Sequence, residues 1–311
     1  MGHFGVVVNP HAGGNRDERH RTTELRRLLG DRGRVWETHT FDEVEDVARE
    51  LRRAQVRVLA ICGGDGSFFR TLSAVVRAYE GAPLPYFLPL RAGSMNTIAR
   101  AVGCRRGTPT AVLARVLDDH AALRPLDLAY HDLIRVNERH YGFIAGAGVI
   151  VNFLRAYYDR PQRGPLAAAR LLGHVAFGGL LGSADVRRLF ETARGSIECD
   201  GRDLGGGELR VILASTITEL GLGFKLAYRA TSLPGSFQLL AGSLSPQEVL
   251  LRLPAVRRGR PLVLPGWHDE LAQHVVVELD RPTHYMIDGD ILEEVTRLEL
   301  STGPRLAIIR R

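Results

Sequence analysis

The stretch of this chain best suited to chemistry is residues 60–67, which read Ala-Ile-Cys-Gly-Gly-Asp-Gly-Ser. Glycine has no Cβ, so its backbone can adopt positive φ and its N–H groups can approach phosphate oxygens without a clash. Asp65 stands among these glycines. Because a carboxylate beside phosphates is repulsive unless a divalent cation or a transferable proton lies between them, Asp65 indicates Mg²⁺ binding or general-base chemistry. Read alone, the stretch also fits an ordinary tight turn between a strand and a helix.

Two more glycine-containing turns follow apolar runs in the N-terminal part of the chain. Residues 9–15, Asn-Pro-His-Ala-Gly-Gly-Asn, follow the run 6–8, and residues 91–96, Arg-Ala-Gly-Ser-Met-Asn, follow the run 84–90. In an open parallel sheet, ligands bind at the carboxyl ends of strands, so loops after separate strands can face one pocket. Helices that begin there point their N–H groups at an anion. The three turns together therefore indicate an anion-binding pocket.

A pair of acids near the C-terminus is the other candidate for chemistry. Residues 285–291 read Tyr-Met-Ile-Asp-Gly-Asp-Ile, which places Asp288 and Asp290 on either side of a glycine. Such a pair could orient or deprotonate a hydroxyl group. The alternative is an Asp-Gly hairpin turn with no chemical role.

The elements that would position these residues change character along the chain. Strands and helices alternate at first, which predicts an α/β domain with a parallel sheet. The predicted strands are 6–8, 35–40, 56–62 and 84–90, and the predicted helices are 16–29, 42–54, 68–79 and 97–102. From about residue 126 short strands dominate, at 126–129, 133–136, 141–145, 209–214, 237–240, 275–279, 284–287 and 306–309. A chain of 311 residues also exceeds the usual size of one core, so two domains are expected.

Between the later strands we predict one helical stretch, roughly residues 165–190. His174 and the Gly178-Gly179 pair interrupt it, and it is too short to span a bilayer. It could be a core or interdomain helix, or a helix that covers lipid and touches a membrane. The sequence leaves both open.

Composition limits the compartment and the partners. The net charge is +6, the pI is about 9.6, and Lys225 is the only lysine, so nearly all the basic residues are arginine. Positive charge favours nucleotides, anionic lipid surfaces or nucleic acid, but no recognition motif supports nucleic acid. Three isolated cysteines indicate neither disulfides nor zinc. With no signal-peptide pattern at the N-terminus, we expect a cytoplasmic protein, peripheral at most at the inner membrane face.

The motifs, taken together, resemble one known family. Asn9-Pro10-x-Ala12-Gly13, the Gly-Gly-Asp-Gly-Ser of residues 63–67, the Gly-Ser-Met-Asn of residues 93–96 and Asp288-Gly289-Asp290 occur in the order seen in diacylglycerol-kinase-type lipid kinases. That family includes bacterial lipid kinases and sphingosine kinases, and NAD kinases are more distant relatives that share the Gly-Gly-Asp-Gly turn.

The resemblance implies a two-domain α/β enzyme. Residues 1–124 would form a Rossmann-like, three-layer α/β domain that binds ATP, with residues 296–311 returning to it. Residues 125–295 would form a β-sandwich-like domain for the lipid substrate. By the resemblance, ATP lies in the cleft between the two. The positions that match the family's ATP-binding residues are Asn9, Pro10, His11, Ala12, Gly13, Thr40, Gly63, Gly64, Asp65, Gly66, Ser67, Phe68, Phe69, Gly93, Ser94 and Asn96.

The resemblance also implies catalytic roles. Asp65 would organise Mg²⁺ and the phosphates, and Asp288 and Asp290 would act on the acceptor hydroxyl. The family's last motif ends in glutamate, which is its usual proton acceptor, so Asp290 inherits that role with a side chain one methylene shorter.

Several residues depart from the family pattern. Ser67 and Ser94 stand where threonine is common, Arg70 stands where many members have glutamate, and Thr97 replaces the usual aspartate. Residues 232–236, Ser-Leu-Pro-Gly-Ser, match a metal-binding loop but contain no acids, so we predict that this second metal site is absent.

The leading hypothesis is therefore an ATP-dependent lipid kinase that acts on diacylglycerol or a related lipid at a membrane surface. One alternative is a nucleotide-binding regulator that has lost catalysis, suggested by Arg70 and the missing metal-loop acids. A less favoured one is a NAD kinase. The sequence does not name the lipid, and it leaves a homo-oligomer open.

Overall fold

The computed structural model describes residues 4–11, 18–93, 95–161, 164–180, 183–191 and 193–310, without the side chains of residues 18, 19, 165, 176 and 180. The chain divides into two compact units. The first unit is Met1–His131 with Pro304–Arg311, and the second is Asp132–Gly303.

A parallel sheet forms the centre of the first unit. Its strands are β1 (Phe4–Val8), β2 (Gly33–Glu37), β3 (Val58–Gly63) and β4 (Tyr86–Arg91), in the order β2-β1-β3-β4. The end of the chain adds a parallel edge strand, in which Ile308 pairs with Phe87 of β4. Every residue of β1 and β3 is buried, as expected for strands covered on both faces.

Helices cover both faces of this sheet. They are α1 (Glu18–Leu29), α2 (Phe41–Arg53), α3 (Asp65–Tyr79), α4 (Thr97–Ala101) and α5 (Pro109–Ala121). Leu25 of α1 and Leu113 of α5 share one core cluster with alternate residues of the strands, such as Val6 and Ala60. Helices α2 and α3 pack together against the other face, where Leu51 lies beside Gly5. The three-layer α/β architecture predicted from the sequence is confirmed.

Antiparallel strands dominate the second unit. They are β5 (Leu128–Val136), which begins in the first unit, β6 (His140–Gly142), β7 (Ile144–Gly148), β8 (Ala193–Cys199), β9 (Arg202–Leu209), β10 (Val211–Ser215), β11 (Phe237–Gly242), β12 (His268–Ala272), β13 (His274–Ile287) and β14 (Asp290–Ile309), which ends in the first unit. The order is β12-β11-β10-β7-β13-β14. Strand β13 pairs with β8 along Val275–Leu279 and with β7 along Tyr285–Ile287, so it belongs to two ladders.

The helices of the second unit correct the sequence prediction. They are α6 (Val149–Tyr158), α7 (Pro165–Leu180), α8 (Ala184–Leu189) and α9 (Pro246–Arg257). The single predicted helix over residues 165–190 is wrong, because the chain leaves helical geometry at Ser183, whose ψ is 134°. Helices α6 and α9 were not predicted. Among the described residues, no helix is long and apolar enough to cross a membrane.

Candidate functional site

The predicted glycine-containing turns lie at neighbouring strand ends. Strands β1, β3 and β4 are adjacent and parallel, so their carboxyl ends share one edge of the first unit's sheet. Two backbone hydrogen bonds continue the ladder into the turns, from Asn9 N–H to the Cys62 carbonyl at 3.1 Å and from Ala92 N–H to the Gly63 carbonyl at 3.0 Å. The structure therefore brings together the described residues of the three turns, which for the first turn are residues 9–11.

Two of the glycines are required by a close approach of backbones. A Cβ on Gly93 would lie 2.4 Å from Cα of Gly64, closer than real Cβ contacts. Neither residue uses the conformational freedom invoked for this turn from the sequence, since Gly64 has φ of −89° and Gly93 has no positive φ. What these positions need is space between the turns after β3 and β4.

Asp65 connects the same two turns. It is the first residue of α3, and its carboxylate oxygens accept hydrogen bonds from the backbone N–H groups of Thr97 at 2.9 Å and Ile98 at 3.0 Å, where α4 begins. Burial raises the pKa of the Asp65 carboxyl, against the opposing effect of these two hydrogen bonds. The carboxylate thus fixes the start of α4 while it stands at the glycine-rich turn.

Asn96 closes the turn after β4. Its φ of 49° places it in the left-handed region, which asparagine tolerates better than most residues. Its side-chain oxygen accepts from Gly93 N–H at 3.0 Å, and its side-chain amide donates to the Gly93 carbonyl at 2.6 Å. The predicted nucleotide-binding residue Ser94, inside this turn, lies outside the described residues.

The turn after β1 is tied to α3 by a side-chain contact. The Asn9 side-chain amide donates to the Ser67 hydroxyl at 2.8 Å, and His11 N–H donates to the Asn9 side-chain oxygen at 2.9 Å. Pro10 lies between these two residues. Ala12 and Gly13, also predicted to bind the nucleotide, lie outside the described residues.

Other predicted nucleotide-binding residues have structural roles in the first unit. Thr40 is the N-cap of α2, and its hydroxyl accepts from Glu43 N–H at 3.3 Å. The side chains of Phe68 and Phe69 are buried, and the Phe68 ring packs edge-on against Phe87 with 6.5 Å between centroids. Phe68 and Phe69 could therefore meet a ligand through their backbone only.

Two features of this edge were not found from the sequence. The His39 ring lies 5.4 Å from the His11 ring, with 3.4 Å between their nearest nitrogens. The Arg70 guanidinium stands 3.7 Å from the centre of the exposed Phe41 ring, a cation–π contact. A clue to the histidine pair was available in the sequence, because His11 follows β1 and His39 follows β2, and these two strands pair in parallel. The distance between the two rings depends on the folded loops.

The predicted acid pair lies in the second unit. Asp288 is buried, at 4% exposed, and its carboxylate accepts from the N–H groups of Phe143 and Ile144 at 3.0 Å and 2.8 Å. Asp290 is half-buried at the start of β14. Between them, the Gly289 carbonyl accepts from the Tyr158 hydroxyl at 2.7 Å, a contact that the sequence did not reveal. Asp288 is thus bonded to the backbone of the strand region beside it.

The loop matched to a metal site is held by hydrogen bonds. Gly235 N–H donates to the Asp132 carboxylate at 2.8 Å, and the Thr302 hydroxyl donates to the Gly235 carbonyl at 3.0 Å. Within the part of the chain that the structure describes, no group of three or more His, Cys, Asp or Glu side chains could hold a metal ion.

Comparison with known proteins agrees with this architecture. Residues 3–130 match the diacylglycerol kinase catalytic domain family. A search of curated proteins gave no match.

Solved structures with the same fold include kinases of two kinds. A diacylglycerol kinase from Bacillus anthracis aligns with a TM-score of 0.65 and 15% identity, over 99% of this chain and 96% of that one. An NAD kinase from Archaeoglobus fulgidus in complex with ATP aligns with a TM-score of 0.50 and 9% identity, over 98% and 93% of the two chains. Yeast NADH kinase complexed with NADH gives 0.53 and 10%, over 99% and 83%. The resemblance predicted from the motifs is confirmed: residues 3–130 match the diacylglycerol kinase catalytic domain family, and the whole chain shares its fold with these solved structures.

Proposed function

We propose that this protein is an ATP-dependent lipid kinase that transfers the γ-phosphate of ATP to a hydroxyl of diacylglycerol or a related lipid. The observation that carries the proposal is the packed pair of turns in which Gly93 meets Gly64 and Asp65 holds the first N–H groups of α4. The match of residues 3–130 to the kinase domain supports the same reading. The acceptor would be met at the cytoplasmic face of a membrane.

The turns fit a nucleotide. Any side chain on Gly93 would fill the space between the two turns, so the backbone there stays open to phosphate oxygens. The Asn9–Ser67 hydrogen bond holds the first turn beside α3, whose N-terminus favours negative charge. We assign the triphosphate to these turns, with the backbone N–H groups as the main donors.

Asp65 fits a role beside Mg²⁺. A carboxylate has about four acceptor sites, and the backbone N–H groups of Thr97 and Ile98 and the Thr97 hydroxyl occupy three of them, which leaves one for a metal ion. Mg²⁺ is commonly held by one or two carboxylates together with substrate phosphates and water, so a single protein carboxylate suffices. When bound, the ion would neutralise phosphate charge during transfer.

The acid pair divides the work on the acceptor. Asp288 is committed to the Phe143 and Ile144 backbone, which makes it a positioning residue. Asp290 is the proposed base. As the lipid oxygen bonds to the γ-phosphorus and the bond to the ADP oxygen breaks, the hydroxyl proton passes to the Asp290 carboxylate.

One observation favours a second candidate, a nucleotide-binding regulator without catalysis. The carboxylates of both Asp65 and Asp288 are engaged by backbone N–H groups, and Arg70 places a positive charge where the resembled family often has a negative one. Such a protein would bind ATP and transfer nothing.

Transfer of labelled γ-phosphate tests these functions. The chain would be incubated with ATP, Mg²⁺ and mixed micelles of diacylglycerol, monoacylglycerol, ceramide or sphingosine, and separately with NAD. We expect label in one lipid, lost in Asp290→Asn and retained in Asp118→Asn, which changes an exposed acid of α5. ATP binding without any labelled product would support the regulator, and labelled NADP would show a NAD kinase.

A further inference from the structure

Helix α9 of the second unit is rich in apolar residues but has no fully buried side. Its residues include Val249, Leu250, Leu251 and Leu253, yet none of its residues is buried. Val249, Leu250 and Leu253 are partly covered, whereas Leu251 is 78% exposed. A large exposed apolar side chain on a helix that also carries Arg252 and Arg257 is typical of a helix that lies at a membrane surface.

Helix α7 beside it exposes a stripe of similar character. The exposed side chains Leu166, Arg170, His174 and Phe177 recur every three or four residues, which places them along one face. Leu166 is 75% exposed and Phe177 is 72% exposed. The opposite face, with Leu171 and Val175, is buried. Two large apolar side chains therefore stand at the two ends of an exposed face that also carries positive charge.

The C-terminal end of α7 meets the N-terminal end of α9. The Gln247 side-chain amide of α9 donates to the Gly179 carbonyl of α7 at 2.9 Å, and a Cβ on Gly179 would touch Pro246. Just after α9, Val263 is 80% exposed. We call Leu166, Arg170, Phe177, Leu251, Arg257 and Val263 the helical surface.

The positive charge of the segments that carry the helical surface favours an anionic partner. Residues 149–191 and 245–265 contain ten arginines and four acidic residues, an excess equal to the whole chain's net charge of +6. Arg170, Arg257 and Arg258 form no ion pair with any residue that the structure describes. A symmetric dimer through the helical surface would bring like charges together, whereas anionic headgroups would pair with them.

We propose that the helical surface docks the protein on an anionic lipid bilayer. The exposed leucines, Val263 and Phe177 would enter the headgroup and acyl boundary, and the arginines would contact lipid phosphates. This inference rests on the proposed function, since it explains how a lipid acceptor is reached. It assigns the docking to α7, α9 and the segment after α9.

Co-sedimentation with vesicles that contain no diacylglycerol tests the docking without any catalysis. The full chain would be mixed with vesicles of phosphatidylglycerol and phosphatidylcholine, and with vesicles of phosphatidylcholine alone. We expect binding to the anionic vesicles, weakened by salt because the arginine contribution is screened. The double variant Phe177→Glu/Leu251→Glu should bind at least about tenfold more weakly. Leu123→Glu, at a 91% exposed position of the first unit, is the matched control and should bind like the wild type.

A second variant keeps the test decisive if the first does not fold. Arg257→Gln/Arg258→Gln should lose binding to anionic vesicles and most of its salt dependence. Wild-type binding in both double variants, or no vesicle binding by the wild type, would overturn the proposal. So would a wild-type dimer that Phe177→Glu/Leu251→Glu dissociates, because a second copy would then cover the surface. A chain that binds vesicles but phosphorylates no lipid contradicts the proposed function and leaves the docking intact.

Discussion

Gly93 and Gly64 approach so closely that a Cβ on Gly93 would lie 2.4 Å from Cα of Gly64. These residues belong to turns after different strands. Asp65 joins the two turns by binding the start of α4, and Asn96 closes the turn after β4. The approach leaves backbone rather than side chains at the proposed phosphate site. Its tightness makes the site sensitive to a single methyl group.

Gly93→Ala should therefore disrupt ATP binding. The clash is with backbone, so the turns must move apart, and we expect a loss of about 1–3 kcal/mol in the free energy of unfolding. Calorimetric titration with ATP and urea unfolding would measure the two effects. Gly207→Ala is the control, since a Cβ there meets nothing within 4 Å. Unchanged ATP affinity in Gly93→Ala would show that the phosphates bind elsewhere.

Asp65 should make stability depend on pH. Because burial raises its pKa in the folded state above the ordinary value of 3.8, the folded protein holds this proton more tightly than the unfolded chain does. The free energy of unfolding of the wild type, relative to Asp65→Asn, should fall as the pH rises from about 3.8 through the raised pKa, and then stay flat.

Urea unfolding of both proteins between about pH 4 and pH 8 would measure this difference. Asp118→Asn, which removes one negative charge at an exposed position of α5, is the control for the overall change in charge. A difference that rises with pH would mean that the Thr97 and Ile98 hydrogen bonds outweigh burial.

At this site, the strand and its turn could be predicted from the sequence, whereas the contacts between the turns could not. Strand β3 and its glycine turn were predictable, because a short continuous apolar run that ends in glycines is typical of a buried strand followed by a turn. The bonds from Asp65 to Thr97 and Ile98 were not, since they join residues 32 and 33 positions apart through the packing of β3 against β4.

Helices α5 and α9 were both missing from the sequence prediction, for different reasons. Helix α5 carried readable signals, with Thr108 as N-cap, Pro109 at its start and the buried residues Val112, Leu113, Val116 and Leu117 on one side. Helix α9 has its apolar residues spread around the helix among Gln247, Glu248, Arg252 and Arg257, so it shows no periodic apolar stripe. Its local signs were the capping box at Ser245 and Glu248 and the proline at its first position, Pro246.

Substitutions of Asp288 and Asp290 should have different effects, on stability for Asp288 and on kcat for Asp290. Asp288→Ala removes the acceptor of two buried N–H groups, so we expect a loss of about 1–3 kcal/mol in the free energy of unfolding for each group left unpaired. Asp290→Asn should change stability little but lower kcat by about 10²–10⁴, the usual contribution of a general base. Thermal unfolding and steady-state kinetics would measure both.

Asp290→Glu completes this comparison. Glutamate restores a carboxylate, so activity should return to this variant and not to Asp290→Gln. If Asp290→Asn retains the wild-type kcat at saturating ATP and lipid, Asp290 is not the base and another group accepts the proton.

The cysteines should be nearly inert to thiol reagents. Cys62, Cys104 and Cys199 are buried, and burial raises their pKa to about 11, 12 and 11. At pH 8 only about 0.1% of the Cys62 thiol would be ionised, so modification requires local opening of the structure. Because the Cys62 carbonyl accepts from Asn9 N–H next to the proposed phosphate turn, ATP should slow that opening.

Mass spectrometry of peptides after timed labelling would give the rate for each cysteine. ATP should slow labelling of Cys62 and leave Cys199, in the second unit, as the internal control. Equal protection of both would indicate stabilisation of the whole protein, and no protection of Cys62 would contradict phosphate binding at this turn.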